Sequence, residues 1–219
     1  MALVLITGAN RGIGLELCRR FKERGDTVIA ACRTVSPELE QLQVETHQVD
    51  VTDISSIAQL AKALSGQSID VLINNAGVLY RDNLQSINYD AMRTQFEVNS
   101  LGPLRVTHGL LSHLSSGSKV VIVTSRMGSM GDNTSGRSYG YRVSKAAVNM
   151  VGTNLAQDLA PEGIAVLLLH PGYVRTGMTG GRGNWEASEA SEAMIARIDE
   201  LTLKQTGSFW HAEGQQIPW

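Results

Sequence analysis

Thr7-Gly8-Ala9-Asn10-Arg11-Gly12-Ile13-Gly14 joins an apolar run, Ala2–Thr7, to an amphipathic stretch near the start of the chain. The glycines allow a tight turn and let the backbone approach a pyrophosphate closely. The helix that follows offers free N–H groups and a partial positive charge to the same phosphates. The spacing is Gly-x3-Gly-x-Gly rather than the commoner Gly-x-Gly-x2-Gly. A glycine-rich turn without a ligand is the alternative, but the strand–turn–helix context favours phosphate binding.

The rest of the chain repeats this alternation of short apolar runs and longer amphipathic stretches. Several runs are apolar throughout, as is typical of strands that are covered on both faces. The pattern predicts an α/β fold of the Rossmann type, with a doubly wound, mostly parallel sheet, helices on both faces and a single domain spanning residues 1–219. The predicted strands are Ala2–Thr7, Thr27–Cys32, Thr46–Val49, Val71–Asn74, Lys119–Thr124 and Ile164–His170. The predicted helices are Gly12–Arg24, Ile54–Ser65, Asp90–Leu114 and Tyr139–Ala160.

Individual residues refine this prediction. Asp53 and Asn88 are suited to cap the second and third helices, and Pro103 should kink or break the third. Two glycine-rich polar stretches, Gly128–Arg137 and Gly177–Asn184, each directly follow a predicted strand. The carboxyl edge of an open α/β sheet is where ligands bind, so both stretches are expected to border a site.

The composition excludes several classes of protein. Of the 219 residues, 42% are hydrophobic and 18% are charged, and the formal net charge is −2. This balance is typical of a globular chain, and it offers neither a broad basic field nor a long apolar span. We therefore expect no nucleic-acid partner and no membrane partner. Two cysteines, Cys18 and Cys32, are too few for a disulfide framework or a four-ligand zinc site, so we expect no metal and a cytoplasmic location.

Two arginines predict the form of the dinucleotide. A fold of this type that prefers NAD usually carries an acid at the end of its second strand, where it accepts from the ribose 2′-OH. Here that strand ends in Ala30-Ala31-Cys32-Arg33, and Arg11 lies in the glycine turn on the same side. Two guanidinium groups suit a 2′-phosphate, which favours NADP(H). The alternative is that both are solvated surface arginines.

A tyrosine and a lysine form the candidate catalytic pair. Tyr141 and Lys145 are four residues apart on a predicted helix, so they share one face. An ammonium beside a phenol should lower the phenol's pKa and make it a usable proton donor and acceptor. Tyr139 has Val143 at the corresponding position, which cannot act in this way. Ser125 ends the fifth predicted strand and could hydrogen-bond a substrate oxygen, although a strand-end turn serine is the plainer interpretation.

Taken together, these motifs resemble the short-chain dehydrogenase/reductase family. The match runs from Leu3 to about Thr179, and its details look like the C-factor and small carbonyl reductase branch. Those details are a Tyr-Arg-x-Ser-Lys-Ala-Ala segment, the loop Met127-Gly128-Ser129-Met130 and the ending Ile217-Pro218-Trp219. The motifs that carry the resemblance are Thr7–Gly14, Asn74-Asn75-Ala76-Gly77, Asn99, Ser125, Tyr141-x3-Lys145 and Pro171-Gly172-Tyr173-Val174-Arg175-Thr176.

The resemblance implies roles for individual residues. Tyr141 would be the acid/base and Lys145 its partner, Ser125 would orient the substrate carbonyl, and Asn99 would hold a water in a proton relay. The implied cofactor contacts are Gly8, Asn10, Arg11, Gly12, Ile13, Gly14, Arg33, Asp50, Val51, Asn75, Ala76, Gly77, Tyr141, Lys145, Pro171, Gly172, Val174 and Thr176. The spacing between Ser125 and Tyr141 is a little longer than is usual in the family, so the loop between them should bulge over the site.

The expected activity is NADPH-dependent reduction of a small-molecule carbonyl, an aldehyde, ketone or quinone, by hydride transfer. Two alternatives stay open: a dinucleotide-binding signalling or regulatory protein with little turnover, and a non-redox lyase or epimerase on the same fold. Gly177–Ser188, with four glycines, is expected to form a flexible lid over the substrate, lined by Met178 and Trp185; the alternative is that these two are ordinary exposed loop residues. The third and fourth helices are expected to form a homodimer interface, since their apolar residues exceed one buried face; the alternative is a monomer with a well-covered sheet. The residues in question are Leu104, Leu110, Leu111 and Leu155.

Overall fold

The computed structural model describes all 219 residues, and every strand belongs to one sheet. The strands are β1 (Leu3–Thr7), β2 (Thr27–Cys32), β3 (Glu45–Gln48), β4 (Val71–Asn74), β5 (Lys119–Val123), β6 (Ala165–His170) and β7 (Ser208–His211). Their order across the sheet is β3-β2-β1-β4-β5-β6-β7, and every neighbouring pair is parallel. The predicted fold class is confirmed, and β7 is a seventh strand that the sequence pattern did not predict.

The sheet is buried because successive side chains of its central strands enter two different cores. Val4 and Ile6 belong to a cluster of 23 buried residues, whereas Leu5 between them belongs to a cluster of 20. Each fully buried aliphatic side chain contributes about 1.5–3 kcal/mol, so the sheet is stabilised from both sides. By contrast, β3 lies at the edge of the sheet and has no buried residue.

Helices cover both faces, as predicted. They are α1 (Gly12–Glu23), α2 (Pro37–Gln41), α3 (Ile54–Ala63), α4 (Tyr89–Phe96), α5 (Gly102–Gly109), α6 (Tyr139–Leu159) and α7 (Ala187–Glu200). Side chains of α1 and α7 pack in the first core, and those of α3, α5 and α6 pack in the second. The sequence pattern missed α2 and α7. None of the helices combines the length and the apolar character that are needed to span a bilayer.

The third predicted helix is interrupted where proline predicted a break. It divides into α4, a π-helical turn at Glu97–Leu101 and α5, with Pro103 in the first turn of α5. The predicted caps are also confirmed: Asp53 accepts a hydrogen bond from the N–H of Ser55, and Asn88 accepts one from the N–H of Ala91.

The apolar residues assigned to a subunit interface divide into two groups. Leu110 is fully buried in the second core, and Leu155 is half-buried against it, so these two side chains stabilise the chain itself. Their assignment as surplus apolar surface is wrong, because α5 and α6 use them to cover the sheet. Leu104 and Leu111 remain 38% and 44% exposed.

Candidate active site

The strand order reverses at β1, and this creates a crevice at the carboxyl edge of the sheet. The chain leaves β1 for β2 on one side and later adds β4 on the other, so the segments after β1 and β4 meet there. Thr7 joins them: its Oγ1 accepts hydrogen bonds from the N–H of Asn75 at 3.0 Å and of Ala76 at 3.1 Å. The glycine turn is thereby held against the segment that follows β4.

A cleft of about 330 Å³ opens at this point. It brings together the predicted contacts Gly8, Asn10, Arg11, Gly12, Ile13, Gly14, Arg33, Asp50, Val51, Asn75, Ala76, Gly77 and Thr176. The sequence motifs missed Cys32, Thr34, Val49, Val78, Val98, Gly177 and Met178, which also line it. Most of these directly adjoin a predicted contact, so position along the chain was the available signal. Of the predicted contacts, Tyr141, Lys145, Pro171, Gly172 and Val174 do not line this cleft.

Glycine is required in the turn for two different reasons. Gly8 has φ +66°, and a Cβ there would lie 2.8 Å from the Cα of Ala76. A Cβ on Gly14 would collide with the carbonyl oxygen of Gly8, so this glycine lets α1 pack against the turn. These are the backbone conformation and the close approach that the motif predicted.

The first turn of α1 is free to bind an anion. Arg11 precedes the helix in an extended conformation, and no side chain caps the N–H groups of the first turn. Such groups need hydrogen-bond acceptors, and together with the helix dipole they favour phosphate oxygens. The cleft residues therefore fit a dinucleotide, with its pyrophosphate at the glycine turn.

The charges on the cleft wall fit an additional phosphate. Arg11 and Arg33 are both exposed, both line the cleft, and neither forms an ion pair with an acid. Asp50 does not neutralise them fully, because its Oδ1 accepts from the N–H and the hydroxyl of Thr52 at 2.9 and 2.7 Å. These hydrogen bonds, with a smaller contribution from the charge of Arg33, hold the pKa of Asp50 below its usual value. The wall thus carries two free guanidinium groups.

The structure brings Ser125, Tyr141 and Lys145 together in a buried group. Their exposed fractions are 7%, 9% and 5%. The Nζ of Lys145 lies 5.7 Å from the centre of the Tyr141 ring and donates a hydrogen bond to the carbonyl of Val123 at 2.8 Å. Gly128 permits this arrangement, since a Cβ there would lie 2.6 Å from the carbonyl carbon of Lys145. The turn after β5 therefore lies directly on α6.

Burial controls the protonation of this group. It raises the pKa of Tyr141 to about 12, and the nearby hydroxyl of Ser125 opposes this by hydrogen bonding. It lowers the pKa of Lys145 to about 8. The expectation that Lys145 lowers the pKa of Tyr141 is wrong for this structure, because desolvation of the phenol dominates and the ammonium donates to Val123. At neutral pH the phenol keeps its proton, which is the state that a proton donor needs.

Asn99 connects the segment after β4 to α6 through hydrogen bonds. It lies in the π-helical turn between α4 and α5, a type of distortion that is frequent at functional sites. Its Oδ1 accepts from the N–H of Val78 at 2.8 Å, and its Nδ2 donates to the carbonyl of Val78 and to the hydroxyl of Ser144. The side chain thus fixes the segment after β4 against α6. Its role in holding a water stays a prediction.

The segment Gly177–Ser188, predicted as a lid, is joined by backbone hydrogen bonds to the residues that precede it. The N–H of Asn184 donates to the carbonyl of Tyr173 at 2.7 Å, and the N–H of Arg175 donates to the carbonyl of Trp185 at 2.8 Å. Met178 lines the cleft, but Trp185 does not and packs edge-on against His211. Lid closure stays a prediction.

Comparisons with known proteins show to which family the chain belongs. The family model described as short chain dehydrogenase matches residues 2–187. The 1-hydroxy-2-glutathionyl-2-methyl-3-butene dehydrogenase of Rhodococcus sp. (strain AD45) is 43% identical over 226 residues, covering all of both chains. The C-signal protein of Myxococcus xanthus is 44% identical over 154 residues, covering 69% of this chain and 93% of that protein.

Among solved structures, the NADPH-bound carbonyl reductase from chicken fatty liver is 28% identical and has a TM-score of 0.92. The match covers all of this chain and 99% of that one. The resemblance inferred from the motifs is confirmed, since the family model, a full-length relative and a full-length structural match agree. The chain belongs to the short-chain dehydrogenase family of oxidoreductases.

Proposed function

We propose that this protein is an NADPH-dependent carbonyl reductase that converts an aldehyde, ketone or quinone to an alcohol. The observation that carries the proposal is the buried group of Ser125, Tyr141 and Lys145, in which burial raises the pKa of Tyr141. A protonated phenol is a suitable general acid for a carbonyl oxygen that gains negative charge.

Each member of the group has a separate task in this proposal. The Ser125 hydroxyl orients the carbonyl oxygen, and Tyr141 donates its proton to that oxygen. Lys145, held by the carbonyl of Val123, places a positive charge near the phenol and assists its reprotonation. Asn99 keeps the segment after β4 in place and contributes to the supply of protons from solvent.

The glycine turn and the two free arginines support NADP(H) as the cofactor. When bound, the reduced dinucleotide supplies the hydride that reduces the carbonyl carbon. Its pyrophosphate would meet the uncapped first turn of α1, and Arg11 and Arg33 would pair with the 2′-phosphate. Pro171, Gly172 and Val174, in the segment after β6, would contact the nicotinamide end. The chicken relative, which is NADPH-bound, supports this choice.

The same residues also support the reverse reaction. The Rhodococcus relative is named as a dehydrogenase of a glutathionyl alcohol. Oxidation of an alcohol requires Tyr141 as a base, and its high pKa makes that state rare at neutral pH. The protonation state therefore favours reduction, and oxidation should gain as the pH rises.

A signalling protein that binds the dinucleotide with little turnover is the second candidate. It is favoured by the 44% identity to the C-signal protein, and it is weakened by the complete catalytic group. Oxidation of NADPH, measured against a panel of aldehydes, ketones and quinones, separates the two. Turnover of one or more compounds is expected. Tight NADPH binding with no turnover of any of them would support the signalling alternative.

A homodimer through α4, α5 and α6 is part of the proposal. Leu104 on α5 and Leu111 just after it are exposed, and Met150 on α6 is 63% exposed, so these elements carry exposed apolar side chains. Light scattering at micromolar concentration should give twice the 23.6 kDa of one chain. A single species with the mass of one chain would contradict the dimer.

A further inference from the structure

Two cavities near the start of α6 share lining residues and are lined almost entirely by polar residues. One, of about 640 Å³, has nine lining residues, of which one is hydrophobic, and includes Arg126, Arg137 and Arg142. The other, of about 410 Å³, has six lining residues, none hydrophobic, and includes Arg81 and Arg137. Both are lined by Arg137 and Ser138, so they form a continuous polar surface between the segment after β4 and the loop that precedes α6. We call this surface the arginine groove.

The positive charge of the arginine groove exceeds its negative charge. Four arginines line it, and its two acids are already engaged. Asp82 accepts from the first N–H groups of α6, and Asp132 pairs with the Nε of Arg126 at 2.7 Å. Arg81 and Arg137 are exposed and pair with no acid. Two guanidinium groups are therefore available to an anion.

The loop that carries Arg137 is held in one conformation. The guanidinium of Arg142 donates to the carbonyls of Met127, Gly136 and Arg137 at 3.3, 3.1 and 3.2 Å, and to the hydroxyl of Ser135 at 2.9 Å. Arg137 itself has φ +59°, which is unusual for a residue with a side chain. Binding an anion here costs little ordering of the loop, because the loop is fixed beforehand.

The arginine groove adjoins the catalytic residues along the chain. Arg126 follows Ser125 and Arg142 follows Tyr141, so each pair of Cα atoms is about 3.8 Å apart across a trans peptide. From this adjacency we expect a substrate with its carbonyl at Ser125 and Tyr141 to extend a second group toward the groove. The N–H groups of α6 that would favour a phosphate are taken by Asp82, whereas planar guanidinium groups suit a carboxylate.

We propose that the arginine groove binds a carboxylate on the substrate, remote from the reacting carbon, with Arg81 and Arg137 as its specificity-determining residues. The inference rests on the proposed reductase activity and names the substrate class for it. Since both arginines are exposed, each contributes a modest preference that depends on salt.

The test compares straight-chain ω-oxo acids with their methyl esters, which differ in charge and share the reacting aldehyde. At low ionic strength, kcat/KM should favour the best acid over its ester by about 10-fold, and salt at about 0.5 M should reduce that ratio to about 2-fold. Equal kcat/KM for every acid and its ester would overturn the proposal. If neither class is turned over while compounds of the carbonyl panel are, the proposal is overturned and the reductase activity stands; if no carbonyl compound at all is turned over, the reductase assignment itself fails.

Variants test which arginines cause the preference for the acid over its ester. Arg137→Gly removes the guanidinium and suits the left-handed backbone, so the loop should still fold. Arg81→Gln removes the second charge. Each change should lower the acid-to-ester ratio by about 3-fold, and the double variant should bring it close to one. Arg19→Gln, on α1 and outside the groove, controls for net charge and should keep the ratio. A preference that survives in the double variant contradicts the proposal.

A binding measurement tests the arginine groove without turnover. Adipate, an unreactive dicarboxylate, should shift the side-chain Nε–H resonances of Arg81 and Arg137 during an NMR titration, and the double variant should bind it more weakly. If adipate leaves both resonances unchanged, the groove is not a carboxylate site, whatever the enzyme's activity.

Discussion

The removal of one hydroxyl group, in Tyr141→Phe, tests the assignment of the proton donor. The ring is 9% exposed and keeps its packing in the variant, so the change removes the donor and little else. Because burial raises the pKa of the wild-type phenol to about 12, the phenol keeps its proton at pH 7. Nearly every wild-type molecule can therefore donate a proton, and no variant molecule can.

The expected loss in kcat is at least about 100-fold, the usual range for general acid catalysis, which adds at least about 2.7 kcal/mol to the barrier. The free energy of unfolding should change by about 1 kcal/mol or less, since one hydrogen bond is lost. The assay follows NADPH oxidation at saturating carbonyl substrate, with NADPH affinity measured separately and expected to be nearly intact. Tyr139→Phe is the matched control, because that ring is 38% exposed and has no lysine partner. Near-normal turnover in Tyr141→Phe would refute the role of this phenol.

Three other changes test the cofactor site, the buried lysine and the glycine turn. Arg33→Asp should weaken NADPH binding by at least about 10-fold, since the carboxylate repels a 2′-phosphate. It should improve NADH binding, because the carboxylate offers the ribose hydroxyl an acceptor. Equal wild-type dissociation constants for the two cofactors would contradict the assignment of Arg33 to the 2′-phosphate. Burial lowers the pKa of Lys145 from 10.5 to about 8, so the unfolded chain binds more protons between these values and stability should rise with pH there. The difference in the free energy of unfolding between the wild type and Lys145→Met, measured in urea, should rise by about 2 kcal/mol between about pH 8 and 9.5; taking the difference cancels the opposite effect of the buried Cys18 thiol, whose pKa is raised to about 12. Gly14→Ala should destabilise the protein by about 1–3 kcal/mol, while Gly177→Ala, where a Cβ meets nothing within 4 Å, should be neutral; similar unfolding midpoints for the two would contradict the packing argument.

The sequence predicted the fold well because its main features are local. The glycine turn, the apolar runs and Pro103 each act through the backbone geometry of a few residues, and the structure follows them closely. The missed elements carry weaker patterns. The buried face of α7 consists of Ala190, Ser191, Met194 and Ile198. Because Ala190 and Ser191 are small, the hydrophobic periodicity of this helix is weak. The four residues of β7 are too few for a clear alternation.

Properties of the site that depend on burial could not be predicted in this way. The pKa of Tyr141 reflects the balance between desolvation and nearby charges, and the spacing to Lys145 indicates only the second of these. Similarly, Leu110 and Leu104 both lie on α5 or at its end, and their sequence positions do not show which one faces the core. The arginine groove joins segments that are more than 40 residues apart, so only the fold brings Arg81 and Arg137 together.

The transfer of deuterium from NADPH that carries deuterium at both hydrogen positions of the nicotinamide C4 tests the central claim most directly. Mass spectrometry of the alcohol formed from an accepted aldehyde should show one deuterium at the carbinol carbon, in amounts equal to the NADPH consumed. Tyr141→Phe should form at least about 100-fold less of the labelled alcohol in the same time. NADPH that binds tightly and yields no labelled alcohol from any carbonyl compound would contradict the account.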